Sequence, residues 1–263
     1  MRYRKRIVAL IALAAVFLFV LASARREGSG QAGVSDSSSG GKNSVPSGME
    51  STDPAGYIAC SEVCVASGDL WGCGSIWDIT GEAVTVITAS HVIADEGDIS
   101  VILPDGEVLR AEALENDPLR DYCFLKAVTG GDEAGSQGWT GASKGTEFKA
   151  KDHGLTSIRP ADSLPQAGQT VFMVLPFSSE SDTIGTVGLL HGASEDSVYV
   201  GTVISPKVYS QDFGEDVILC SIGVFEGMSG GGLFDEKGQY LGLLLGGNDD
   251  SVGVFLSAGA IVR

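Results

Sequence analysis

From about residue 56 onward the chain is a succession of short β-type runs, with no long segment of helical period. Residues 83–88 (AVTVIT), 99–103 (ISVIL), 108–114 and 122–128 form the first group. Residues 170–177, 184–190, 197–205, 217–224, 240–245 and 252–256 form the second. Aliphatic and β-branched residues dominate the runs, and Gly, Asp, Ser and Pro separate them. Such spacing predicts an all-β sandwich or barrel. The polar, Gly-rich stretch 130–154 is the natural connector between the groups, so two lobes are expected. No internal repeat is evident beyond that.

The N-terminal part is different in kind. Residues 1–6 are MRYRKR, and residues 7–24 carry no charge before Arg25 and Arg26. A basic start followed by an apolar run is an export signal. The sequence ASA at 22–24 fits a cleavage site, whereas a run of this length reaches the lower edge of a membrane span, ~17–25 residues. The expectation leans to an uncleaved anchor, with secretion after cleavage behind Ala24 as the alternative. Residues 27–55 are rich in Gly, Ser, Pro and Asp and read as a flexible tether.

Charge narrows the partners. Residues 1–26 hold six of the 17 basic residues and no acid, which leaves 11 basic against 34 acidic residues, a net charge of −23. Such a surface argues against nucleic acid or anionic lipid as a partner of the exported part. The membrane is expected to matter only through the N-terminal segment, and nothing in the pattern sets an oligomeric state. The five cysteines, Cys60, Cys64, Cys73, Cys123 and Cys220, have no repeated C-x-x-C and no histidine partner, so no metal site is expected. A disulfide among Cys60, Cys64, Cys73 and Cys220 and a set of small buried thiols both remain open; Cys123, inside an apolar run, reads as a buried thiol.

The stretch with chemistry is Gly227-Met228-Ser229-Gly230-Gly231. A serine in a glycine-rich turn exposes a hydroxyl and points N–H groups at a neighbouring oxygen, although with 37 glycines an ordinary turn is the bland alternative. A neutral serine needs a base, and the base needs an orienting acid. The three histidines, His91, His153 and His191, all precede Ser229. That excludes the α/β-hydrolase order of serine, acid, histidine. His91 directly follows the run 83–88, where a strand end faces a cleft. His153 lies in the connector and reads as solvated; His191 ends a run and reads as a surface residue.

Thr88-Ala89-Ser90-His91-Val92 resembles the histidine signature of chymotrypsin-like, trypsin-fold serine proteases, closest to the bacterial HtrA/DegP-like peptidase domain. The segment Asp117 to Lys126 resembles that family's acid segment, with Asp121 as the triad acid and Asp117 as the alternative. Gly227 to Leu233 resembles the nucleophile turn, and Gly238 to Leu243 the strand after it. Gly72-Cys73-Gly74-Ser75 resembles the start of the strand leading to the histidine.

The resemblance implies an all-β, two-lobe double β-barrel over residues 56–263, with lobes of about 56–130 and 155–263. It implies a triad of His91, Asp121 and Ser229, an oxyanion hole from the N–H groups of Gly227 and Ser229, no cofactor, and polypeptide substrates. The primary pocket is expected around Gly223, Leu244, Leu245 and Gly246. With no acid at Gly223, a small or medium apolar residue is expected at the cleaved position. Met228 stands where the family usually has Asp or Asn, so activation by a salt bridge to a new N-terminus is not expected. Nor is a PDZ domain, since no sequence follows Arg263. The alternative function, from another class, is a protease-like fold kept as a silent binding or scaffolding module; the intact His91, Asp121 and Ser229 weigh against it.

Overall fold

A computed structural model describes residues 54–81, 83–95, 97–128, 150–177, 197–248 and 251–262. The N-terminal segment and tether, the run 184–190, His191 and most of the connector lie outside the described residues.

Among the described residues, twelve strands form two closed antiparallel barrels. The first comprises β1 (Glu62–Ser67), β2 (Leu70–Ile79), β3 (Ala83–Thr88), β4 (Ile99–Ile102), β5 (Val108–Asp117) and β6 (Tyr122–Val128). The second comprises β7 (Thr170–Val174), β8 (Val198–Ser210), β9 (Glu215–Ser221), β10 (Gly232–Phe234), β11 (Tyr240–Asn248) and β12 (Val252–Ser257). The double barrel expected from the sequence is therefore the observed architecture. Closure removes the exposed edges that short strands would otherwise present. It is made by β1 against β4 in the first barrel and by Phe234 of β10 against Phe172 of β7 in the second. The neighbour order β1-β2-β3-β6-β5-β4 recurs as β7-β8-β9-β12-β11-β10. The topology thus repeats although the sequence does not.

Strand β1 contributes to the cores of both barrels. Successive residues of a strand point to opposite faces. Val63 and Val65 enter the first barrel's core with Ile76, Val86, Leu109 and Leu125. Cys64 points the other way, into the cluster of Met173, Ile218, Leu233 and Phe255 in the second barrel. Cys73, directly opposite Cys64 on β2, joins it there. All five cysteines are free thiols, which settles the open choice on the side of thiols.

The segment just after the connector ties the two barrels together. Ile158 N–H donates to Ile76 C=O at 2.8 Å, and Arg159 C=O accepts from Tyr240 N–H at 2.7 Å. His153 is not simply solvated: its Nδ1 meets Asp105 Oδ2 at 2.6 Å, with the imidazole only 21% exposed. Among the described residues no helix is long and apolar enough to cross a membrane.

Candidate active site

β3 ends at Thr88, and a single 3-10 turn, Ser90–Ile93, carries His91 away from the sheet. The partner of that turn is the short loop between β5 and β6. Asp121 closes the loop in the left-handed region at φ 59°, one of two non-glycine residues with positive φ among the described ones. Asp tolerates this region better than most residues, but the position still costs of order 1 kcal/mol. Three hydrogen bonds to the His91 turn offset that cost. Ser90 N–H donates to Asp121 C=O at 3.2 Å, His91 N–H donates to Oδ1 at 2.9 Å, and His91 Nδ1 lies 2.7 Å from Oδ2.

An ionised carboxylate only accepts, so Nδ1 carries the proton and Nε2 is left as the free lone pair. The imidazole is 41% exposed and the carboxylate 14%, so the ring meets solvent while its orienting acid is shielded. Asp117 is occupied elsewhere: it accepts from Arg120 Nε at 2.8 Å and caps the N–H groups of Leu119 and Arg120.

The serine turn is two consecutive reverse turns. Met228 N–H donates to Phe225 C=O at 3.2 Å, and Gly231 N–H donates to Met228 C=O at 3.0 Å. The third residue of the first turn is Gly227, at φ 94°; that of the second is Gly230, at φ 87°. Positive φ at the third position defines a type II turn and calls for glycine. Space gives the same answer. A Cβ on Gly227 would run into the Trp71 ring, and one on Gly230 into Cys73 C=O and Thr88 Oγ1.

Ser229 occupies the second position of the second turn, partly exposed between buried Met228 and Gly230. The N–H groups of Gly227 and Ser229 have no backbone acceptor among the described residues. Met228 fills the second barrel's core, and its Sδ accepts the Phe225 N–H at 3.3 Å. An apolar anchor therefore stands where the resemblance led to an ion pair being ruled out.

The turn is seated on the strands that lead to His91. Cys73 N–H donates to Ser229 C=O at 2.8 Å, and the Cys73 thiol donates to Gly227 C=O at 3.4 Å. Gly72 lies between the Ser229 carbonyl and the Val92 side chain, and Gly230 packs on Thr88 and Ala89, the residues that precede the His91 turn. Gly230 N–H donates to Leu244 C=O at 2.8 Å, which fixes the turn to β11 as well.

The description "Trypsin-like peptidase domain" fits residues 72–243, well over half of the chain. The chain belongs to the trypsin-like peptidase domain family. It is a peptide hydrolase of the serine type. A comparison with curated proteins gave no match. Among solved structures, the Rv3671c protease of M. tuberculosis in its active form is similar at a TM-score of 0.54 and 21% identity, covering 88% of this chain and 92% of that one. An inactive serine-to-alanine form of Rv3671c is similar at a TM-score of 0.55 and 19% identity, covering 80% and 86%. A serine endoprotease from Yersinia pestis is similar at a TM-score of 0.55 and 16% identity, covering 80% of this chain and 62% of its own. At these identities the likeness is one of fold.

The expected primary pocket comprises Gly223, Leu244, Leu245 and Gly246. Gly223 and Gly246 both face open space among the described residues. Leu244 lies in the core of the second barrel and Leu245 is buried. Val224, outside the expected pocket residues, lies with its side chain against Gly247 where a Cβ would sit. Trp71, which no local motif marks, walls the Gly227 turn and stacks edge-on with Phe177 at 5.1 Å. Only the pairing of Trp71 with a glycine far along the chain carries that information, and no local pattern encodes it.

Proposed function

We propose that this chain is an extracytoplasmic serine endopeptidase, held at the membrane by its N-terminal segment. It hydrolyses polypeptides through an acyl-enzyme on Ser229. The observation that carries the reading is the grip of one carboxylate, Asp121, on both the backbone and the ring of His91. A histidine so oriented has one fixed tautomer and one free nitrogen, which is what a general base for a serine requires.

In this mechanism Ser229 Oγ attacks the scissile carbonyl while His91 Nε2 takes its proton. The imidazolium then protonates the leaving amine. A water deprotonated by the same nitrogen releases the acyl group and restores the serine. Asp121 stays ionised, holds the Nδ1 proton and stabilises the imidazolium. The oxyanion is received by the N–H groups of Gly227 and Ser229, and the positive φ of Gly227 supports an orientation in which its N–H is kept for that use.

The contact of Val224 with Gly247, next to open Gly223 and Gly246, supports a narrow pocket for a small apolar residue. The uncharged run 7–24 behind a basic start supports export. The test is a peptide-library digest read by mass spectrometry, with Ser229→Ala as control. Cleavage after small apolar residues, absent in the control, supports the reading. A folded wild type that cuts nothing overturns it in favour of a silent binding module.

A further inference from the structure

The serine loop is also held from behind, by a group the mechanism above does not use. Glu62 opens β1 and is fully buried. Its Oε2 accepts the Gly232 N–H at 3.0 Å, across 170 residues and from one barrel to the other. Gly232 is the first residue of β10, three positions after Ser229. Glu62 stands directly opposite Ser75 in the β1–β2 register. Around the carboxyl, Glu62 Oε1 and Tyr240 OH are buried with no hydrogen-bond partner among the described residues, and Ser75 Oγ is buried beside them without a bond of good geometry. A buried acid with one oxygen committed to a backbone N–H is an expensive way to fill a core, because an apolar side chain of that size would cost no desolvation.

We infer that Glu62 is a positioning residue for the Ser229 loop: its carboxyl fixes the Gly232 N–H, and through it the backbone that carries Ser229 and Gly230. The inference rests on the peptidase reading above. Glu62 touches no substrate and takes no part in bond making. It acts by keeping the Gly231–Gly232 backbone against the first barrel, so that the two turns around Ser229 keep one register relative to His91.

The neutral acid is the form that suits this place. Burial pushes the Glu62 carboxyl up to about 8 from an ordinary 4.5, against the lowering effect of the Gly232 N–H and the Ser75 hydroxyl. The titratable groups facing it are Tyr240, from β11, and Cys73, from β2. Both are themselves pushed upward by burial, so neither offers it a counter-charge. Above about 8 the carboxyl ionises among neutral groups, and each further pH unit lowers the neutral fraction roughly tenfold. The loop is then held by a buried anion that pulls toward water, and the alignment of Ser229 suffers.

The experiment measures kcat and KM with a peptide substrate, and the rate of fluorophosphonate labelling, from pH 6 to 10 for wild type, Glu62→Gln and Glu62→Ala. Gln keeps an acceptor for Gly232 and cannot ionise. The expected result is that wild-type kcat and labelling rate fall about tenfold between pH 8 and 9.5 at constant KM, while Glu62→Gln stays flat over that range. Glu62→Ala is expected to lose labelling rate at every pH. If the alanine variant does not fold, the comparison of wild type with Gln decides alone. The inference is overturned if Glu62→Gln shows the same alkaline fall as wild type, or if a folded Glu62→Ala labels at the wild-type rate. A folded wild type that neither labels nor cuts at any pH overturns the peptidase reading itself, and the role of Glu62 with it.

Discussion

Asp121 holds His91 twice, through the backbone N–H at 2.9 Å and through Nδ1 at 2.7 Å. One side chain thus sets both the position of the turn and the tautomer of the ring. The two functions separate in Asp121→Asn. An asparagine can still accept the backbone N–H, but its amide presents a donor to Nδ1 and reverses the tautomer. The expected outcome is a fall in kcat of about 10⁴ with KM changed only a few-fold. Steady-state kinetics at pH 7 to 8 checks it, and a fall of less than tenfold would count against Asp121 as the orienting acid.

Gly227→Ala tests the serine turn from the other side. The backbone there sits at φ 94°, and the added methyl meets the Trp71 ring. The substitution is expected to rotate the Glu226–Gly227 peptide away from its type II orientation and to lower kcat by about 10²–10³, the usual cost of one oxyanion donor. Combining it with Trp71→Ala removes the collision and leaves the φ restriction. The double variant is therefore expected to stay slow in the same kinetic assay.

How far the fold and site were legible follows from which physical signals are local. β3, β6, β9 and β12 are aliphatic runs of six or seven residues and stand out. β1 and β2 do not: Cys, Gly and Ser fill positions that face the neighbouring barrel, where close approach matters more than strand propensity. β10 is only three residues long and is masked by the glycines of the serine turn. His91, Asp121 and Ser229 stand out as candidates because each lies at an element end within a motif. Glu62 does not, because its partner Gly232 is 170 residues away and the pairing exists only when the barrels dock.

The same carboxyl makes a prediction about stability. Its folded pKa of about 8 lies above the ordinary 4.5, so the folded state keeps a proton that the unfolded chain releases between these values. The stabilisation is fully present below about 4.5 and is lost as pH rises through about 8, at about 1.4 kcal/mol per pH unit. Thermal melts of wild type and Glu62→Gln from pH 4.5 to 9 check this. The difference between the two melting temperatures is expected to move in favour of Gln as pH rises and to level off above about 8. A difference that stays constant with pH would contradict it.

The thiols are sorted by depth. Burial pushes Cys64, Cys123 and Cys220 up to about 12, and Cys73 in the same direction. Cys60 alone is partly exposed. A thiol reagent at pH 7.5 is therefore expected to modify one cysteine rapidly in the native protein and all five after denaturation. Peptide mapping should place the fast adduct on Cys60.

The central claim, that Ser229 is a nucleophile activated by the His91–Asp121 pair, is tested most directly by fluorophosphonate labelling followed by intact mass and peptide mapping. One adduct per chain is expected, on Ser229, absent in Ser229→Ala and strongly slowed in His91→Ala. A folded wild type that takes up no adduct, or an adduct that persists in Ser229→Ala, would contradict it.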